Sequence, residues 1–138
     1  MYKPKHFSIE ELVPPETLSK YGESLCWTFM DHRLLEVLDW LRMALNRSIW
    51  INRDDISNNR GFRTNLYNTS RMYCSQHLFG RAADFNVDGM TVEEVHQFLR
   101  DNIDDIPHPI WVEEADGVNR VHIDVRYSDK GKLYFFKA

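Results

Sequence analysis

Residues 120–127 read Arg-Val-His-Ile-Asp-Val-Arg-Tyr, an unbroken alternation of polar and apolar side chains. A period of two marks a half-buried strand, because successive side chains point to opposite faces of a sheet. Val121, Ile123, Val125 and Tyr127 then share the core face, and Arg120, His122, Asp124 and Arg126 share the polar one. A weaker alternation sets Ala83, Phe85 and Val87 opposite Asp84 and Asn86. Both patterns call for a sheet covered on one face only. The polar face of that sheet carries a histidine and several charged groups.

The remaining elements follow from caps and periodicity. Ser8 with Glu11 forms a capping box that opens a short helix, and Pro14-Pro15 ends it. Asp31 precedes a longer helix in which Leu34, Leu38, Leu41 and Leu45 recur at helical spacing, with Leu35, Val37 and Ala44 widening the apolar stripe. Residues 48–52 read as a strand. Residues 53–76, rich in Arg, Asn and Ser, read as a long irregular connection of the kind that often carries function. Thr91 with Glu94 caps a further helix through Val95, Phe98 and Leu99, and strands follow near 109–114, 119–127 and 132–136. Residues 1–138 suffice for one domain with one core. The expected architecture is α+β, with a mainly antiparallel sheet joined by hairpins at its end. Helices cover one face, and the site lies on the other.

Chemistry concentrates in Ser75-Gln-His-Leu-Phe-Gly-Arg-Ala-Ala-Asp-Phe85 and in the strand bearing His122. Gly80 lets the backbone turn between His77 and the strand of Asp84, so that a ligand from the loop and one from the strand can converge. Two imidazoles and one carboxylate, from His77, His122 and Asp84, suit one Zn²⁺ per chain and leave a fourth position for water. Asp124, two residues past His122 on the same face, either orients a ligand histidine or pairs with Arg126 or Arg120. His6, His32, His96 and His108 are expected at the surface or in ordinary hydrogen bonds. Trp111 lies either in the core or along the cleft.

The pattern S-x-H-x-x-G-x-A-x-D-F, carried by Ser75, His77, Gly80, Ala82, Asp84 and Phe85, with V-H-I-D-V-R at 121–126, resembles the zinc D-alanyl-D-alanine peptidase family. That family includes carboxypeptidases, dipeptidases and phage endolysin peptidases, and it shares its fold with the hedgehog signalling domain. The likeness covers roughly residues 30–128 and is greatest to small single-domain members of phage and prophage genomes. Arg60-Gly-Phe-Arg63 resembles the family's G-Y-R element, whose arginine approaches a substrate carboxylate. The resemblance implies a hedgehog/DD-peptidase-like fold and a zinc peptidase acting on peptidoglycan stem peptides, as a D,D-carboxypeptidase or an endopeptidase. It implies substrate binding by Arg63, with Arg60 as alternate, and by Ser75 nearby. Many members carry a catalytic glutamate three residues before the last zinc histidine, where this chain has Asn119. A neutral amide cannot take a proton from water, so the base must come from Glu113, Glu114 or Asp116. A two-residue turn at Asp116-Gly117 pairs Glu113 with Arg120, whereas a three-residue turn pairs Glu114 with it. Glu114 is the preferred candidate.

Composition removes other classes. A formal charge of −4 without a basic stripe gives no support for nucleic-acid binding. No run approaches the ~20 apolar residues of a membrane span. The N-terminus shows no export signal, so the expected location is host cytoplasm or phage particle, with action on the cell wall after release. Cys26 and Cys74 form neither a disulfide framework nor a CxxC pair. Three readings compete: an active zinc peptidase, a zinc-binding but inactive module of a phage particle, and a fold in which these ligands go unused.

Overall fold

The computed structural model describes residues 2–52, 60–63, 75–114 and 117–137. Among these residues it forms a single α+β domain of three α-helices and a five-stranded mixed sheet. Helix α1 spans Pro15–Thr28, α2 His32–Leu45 and α3 Val92–Asp101. The strands are β1 (Ile49–Trp50), β2 (Ala82–Val87), β3 (Ile110–Glu113), β4 (Val121–Asp124) and β5 (Leu133–Phe136), ordered β1-β2-β4-β3-β5 across the sheet. Among the described residues no helix is long and apolar enough to cross a membrane.

Local sequence explains most boundaries. The Asp31 side chain accepts from the Arg33 amide and caps α2, and Asn46 closes that helix in the left-handed conformation. Thr91 and Glu94 close a reciprocal box at α3, and Ser8 and Glu11 do the same around the 3-10 turn Ile9–Glu11. Helix α1 departs from expectation. Pro14-Pro15 does not only end the first turn: it opens a helix, with Pro15 in the first turn, where a missing N–H costs nothing. Gly22, with φ 80°, interrupts α1 midway and breaks the apolar period that would have betrayed it.

The core lies between the helices and one face of the sheet. Leu34, Leu35, Leu38 and Leu41 of α2 and Val95 and Leu99 of α3 join Ala83, Phe85 and Val87 of β2, Ile110 and Val112 of β3, and Val121 and Ile123 of β4. β2, β4 and β3 are antiparallel neighbours, with Asp84 opposite His122 and Trp111 opposite Asp124. The expected final hairpin does not form. β5 passes β4 by and pairs in parallel with β3, Glu113 opposite Phe136. Continuing the β3–β4 register sets Glu113 opposite His122, so the turn is longer than either length expected and neither glutamate faces Arg120. The open face therefore carries one transverse row, Asp84, His122, Glu113 and Phe136, beside a second, Ala82, Asp124, Trp111 and Tyr134.

Two glycines lock His77 against this face. A Cβ on Gly80 (φ 67°) would lie 1.7 Å from the Phe29 carbonyl oxygen, and one on Gly61 would lie 2.2 Å from that of Leu12. The Gly80 carbonyl also accepts from the Asp31 amide at 2.9 Å, tying the turn after His77 to the start of α2. Gly80→Ala therefore combines a left-handed alanine with a backbone clash and is expected to destabilise the fold by more than about 2 kcal/mol. Gly131, at φ 80° in open space, isolates the first term. Urea denaturation should place Gly131→Ala well above Gly80→Ala in stability, and equal losses would contradict the packing described.

Candidate metal centre

His77 lies on the 3-10 turn Gln76–Phe79, which Ser75 caps by accepting from the His77 amide at 3.2 Å. Its Nδ1 is 2.8 Å from the Gly61 carbonyl oxygen. A carbonyl only accepts, so Nδ1 donates to it, which turns Nε2 toward the site. Nε2 lies 3.4 Å from Asp84 Oδ1, and His122 Nδ1 lies 2.7 Å from the same oxygen. The three donor groups gather within 4.8 Å of one another, the arrangement of a possible metal-binding triad. Donors 2.0–2.1 Å from a tetrahedral zinc are separated by roughly 3.3 Å. The His77–Asp84 spacing already matches, and the shorter His122–Asp84 contact needs only a small opening. The donor set fits the ion.

Asp84 is 2% exposed, yet its carboxyl is held far below the usual carboxylate range. Burial pushes the other way, but hydrogen bonds and charge from His122 and His77 overcome it. Its other oxygen, Oδ2, meets Arg63 Nη2 at 3.2 Å and Arg120 Nε at 3.1 Å. One carboxylate thus divides its work, with imidazoles on one oxygen and guanidinium groups on the other. Asp124, fully buried, accepts from His122 Nε2 at 3.0 Å and from Arg126 Nε and Nη2 at 2.7 and 2.5 Å. It realises both alternatives at once, orienting His122 while pairing with Arg126.

These residues open onto a cleft of about 400 Å³ lined also by Ser75, Gln76, Glu113 and Phe136. Glu113 joins Asp84 as an acid among the described residues of this cleft. Glu114, the preferred base from sequence, lines a separate cavity against α3 with His96 and Arg100, on the opposite face of the sheet. The correction follows from the register, because a one-residue slip exchanges faces. Asp116 lies outside the described residues, as does Cys74. Arg60 is also corrected. Its side chain is buried, donating to Asn86 Oδ1 at 2.6 Å, and its carbonyl accepts from the Asp84 amide at 2.7 Å. It fixes β2 rather than lining the cleft. Asn119 is exposed, and its carbonyl accepts from the Asn86 side chain at 2.7 Å. Trp111 takes neither of its expected places: it sits on the open face, its indole donating to Ser128 and Arg126 lying over its ring. Of the other histidines, His96 is buried against Phe135, while His108 pairs with Glu36. Cys26 is buried.

Sequence reasoning did not assign Arg120, Arg126, Gln76 or Phe136 to the site. The strand alternation already put both arginines on the face of His122, and that signal was sufficient to find them. Phe136 arrives through the parallel pairing of β5, which no local pattern announced. No protein-family profile, curated protein or solved structure matches this chain.

Without metal, His122 is flanked by two carboxylates and its pKa is raised from 6.5 to about 9. Burial opposes the shift, but the bonds and charges of Asp124 and Asp84 prevail. A raised histidine stabilises the fold fully below its unfolded value near 6.5, and this contribution is lost as pH climbs through about 9. The depressed Asp84 acts at the other end, stabilising above 3.8 and fading as pH falls below it. The melting temperature of the metal-free chain should therefore peak near pH 4–6.5 and decline toward pH 9. Metal binding must displace the His122 Nδ1 proton. Zinc affinity should rise about tenfold per pH unit below about 9, with one proton released per ion in calorimetry across buffers. Affinity independent of pH in that range would contradict this arrangement.

Proposed function

We propose that this chain is a zinc-dependent peptidase of the hedgehog/DD-peptidase type that hydrolyses peptidoglycan stem peptides, of phage or prophage origin. The observation that carries the reading is the row on the open sheet face. Three donors suited to zinc stand beside an acid, Glu113, and beside arginines suited to a carboxylate, all in one cleft. The sequence likeness at 75–85 and 121–126 supplies the substrate class.

His77, Asp84 and His122 would hold the ion. When bound there, zinc supplies Lewis acidity, polarising the scissile carbonyl and acidifying water toward a pKa of ~7. Glu113 takes the proton of the attacking water at its carboxylate and delivers it to the departing amine. Asp124 keeps the Nε2 proton of His122 in place and so presents Nδ1 to the site. Arg63, on the cleft wall, binds a substrate carboxylate by paired hydrogen bonds.

The replacement of the usual glutamate by Asn119 favours a second reading, a zinc-bearing but inactive module of a phage particle. Peptide release from purified peptidoglycan separates the two. Glu113→Gln should lower the rate by about 10²–10⁴-fold with zinc content unchanged, whereas Glu114→Gln should stay within about threefold of the parent. His122→Ala should abolish both zinc binding and hydrolysis. Equal release by the parent and His122→Ala would end the peptidase reading, and stoichiometric zinc without release would favour the inactive module.

A further inference from the structure

Behind the sheet, on the face opposite the metal centre, a second cavity of about 340 Å³ lies against α3. Small-molecule sites have volumes of this order. The helix contributes Glu93, His96, Gln97 and Arg100, whose spacing of three, four and seven residues sets them along one stripe. Glu114, just past β3, and Phe135 of β5 complete the lining. None of the six lines the metal cleft.

His96 is the anomaly in this wall. The residue is 4% exposed, and its Nε2 is sealed from solvent with no hydrogen-bond partner among the described residues. Native folds rarely leave a buried polar atom unbonded without a reason. The ring is held by an edge contact with Phe135, their centroids 5.0 Å apart at 65°. Burial, aided by the charge of Arg100, lowers the His96 pKa. The imidazole is therefore neutral, with one donor and one acceptor to offer.

The charges along the stripe are segregated. Arg100 lies over the Phe135 ring, 4.1 Å from its centroid, and bonds to no carboxylate among the described residues. Glu93 stands about 10 Å away along the helix axis, at 1.5 Å per residue, with His96 and Gln97 between them. Glu114 adds a second carboxylate, paired only loosely with Lys137 Nζ at 3.9 Å. A cation and an anion at opposite ends, with neutral polar groups between, complement a zwitterion. Extended chain spans at most ~3.3–3.6 Å per residue, so two or three residues bridge the distance.

We propose that this cavity is a second binding site, for a short zwitterionic peptide of two or three residues. Its carboxylate pairs with Arg100, its ammonium with Glu93 and Glu114, and a backbone amide bonds His96. The site is separate from the metal centre, and the proposal does not depend on the peptidase reading.

The test uses the full chain loaded with zinc, carrying Glu113→Gln to prevent turnover. Trialanine is the probe, beside its N-acetyl and C-terminal amide forms, and NMR shifts report which cavity each occupies. Trialanine should shift the His96 ring and the α3 amides saturably, and each blocked form should do so about tenfold or more weakly. Arg100→Gln should erase the difference between trialanine and its amide. Glu93→Gln combined with Glu114→Gln should erase the difference from the acetyl form. His96→Phe, which fills the same place without ring nitrogens, should weaken all three forms by a similar factor. Melting temperatures establish that the variants fold, and the charge variants decide the matter should His96→Phe fail. Saturable shifts confined to the metal cleft, no saturable shift of His96, or equal affinity for all three forms would overturn the site. Hydrolysis enters none of these readouts, so failure of the peptidase reading would leave them unchanged.

Discussion

The carboxylate of Asp84 is almost wholly removed from water and remains ionised, and the site is organised around that fact. A lone buried charge is expensive, so the fold surrounds it with partners on both oxygens. Two histidines and two arginines reach it from four places in the chain: the turn after Ser75, the segment 60–63, and positions 120 and 122 flanking the start of β4. The same arrangement that makes Asp84 tolerable in a metal-free chain would make it a ligand, with a cation taking the place of the His122 proton.

Holding the partners there is the task of the fold. β2 brings Asp84 opposite His122 by antiparallel register, and the Arg60 carbonyl pins the Asp84 amide. Gly61 and Gly80 let the backbone come close to Leu12 and Phe29, which sets the turn of His77 at the sheet. Because the helices cover only the face of Phe85, Val112 and Ile123, the opposite face is left for chemistry. Burial of one face and reactivity on the other are two consequences of the same period-two pattern.

Much of this was legible from residues alone. The alternation at 120–127 gave β4 and its polar face, the caps at Asp31 and Thr91 gave α2 and α3, and the donor types gave the triad. What escaped depended on distant pairing. Nothing local in residues 132–136 distinguishes a hairpin partner of β4 from a parallel neighbour of β3, since Gly131 suits either connection. The choice between Glu113 and Glu114 hung on a turn length, and one residue of error moved the carboxylate through the sheet. Helix α1 escaped because Pro15 reads as a terminator when it is an initiator, and because Gly22 interrupts its period.

The central claim is that His77, Asp84 and His122 converge on one cation and leave a place in its coordination for an outside oxygen. X-ray absorption on the zinc-loaded chain tests it most directly, read beside the metal stoichiometry. The account predicts one zinc per chain with two imidazole nitrogens, one carboxylate oxygen and one oxygen not supplied by the protein, the imidazole signal halving in His77→Ala. A fourth protein donor in the coordination, or less than about a tenth of an equivalent of zinc bound, would contradict it.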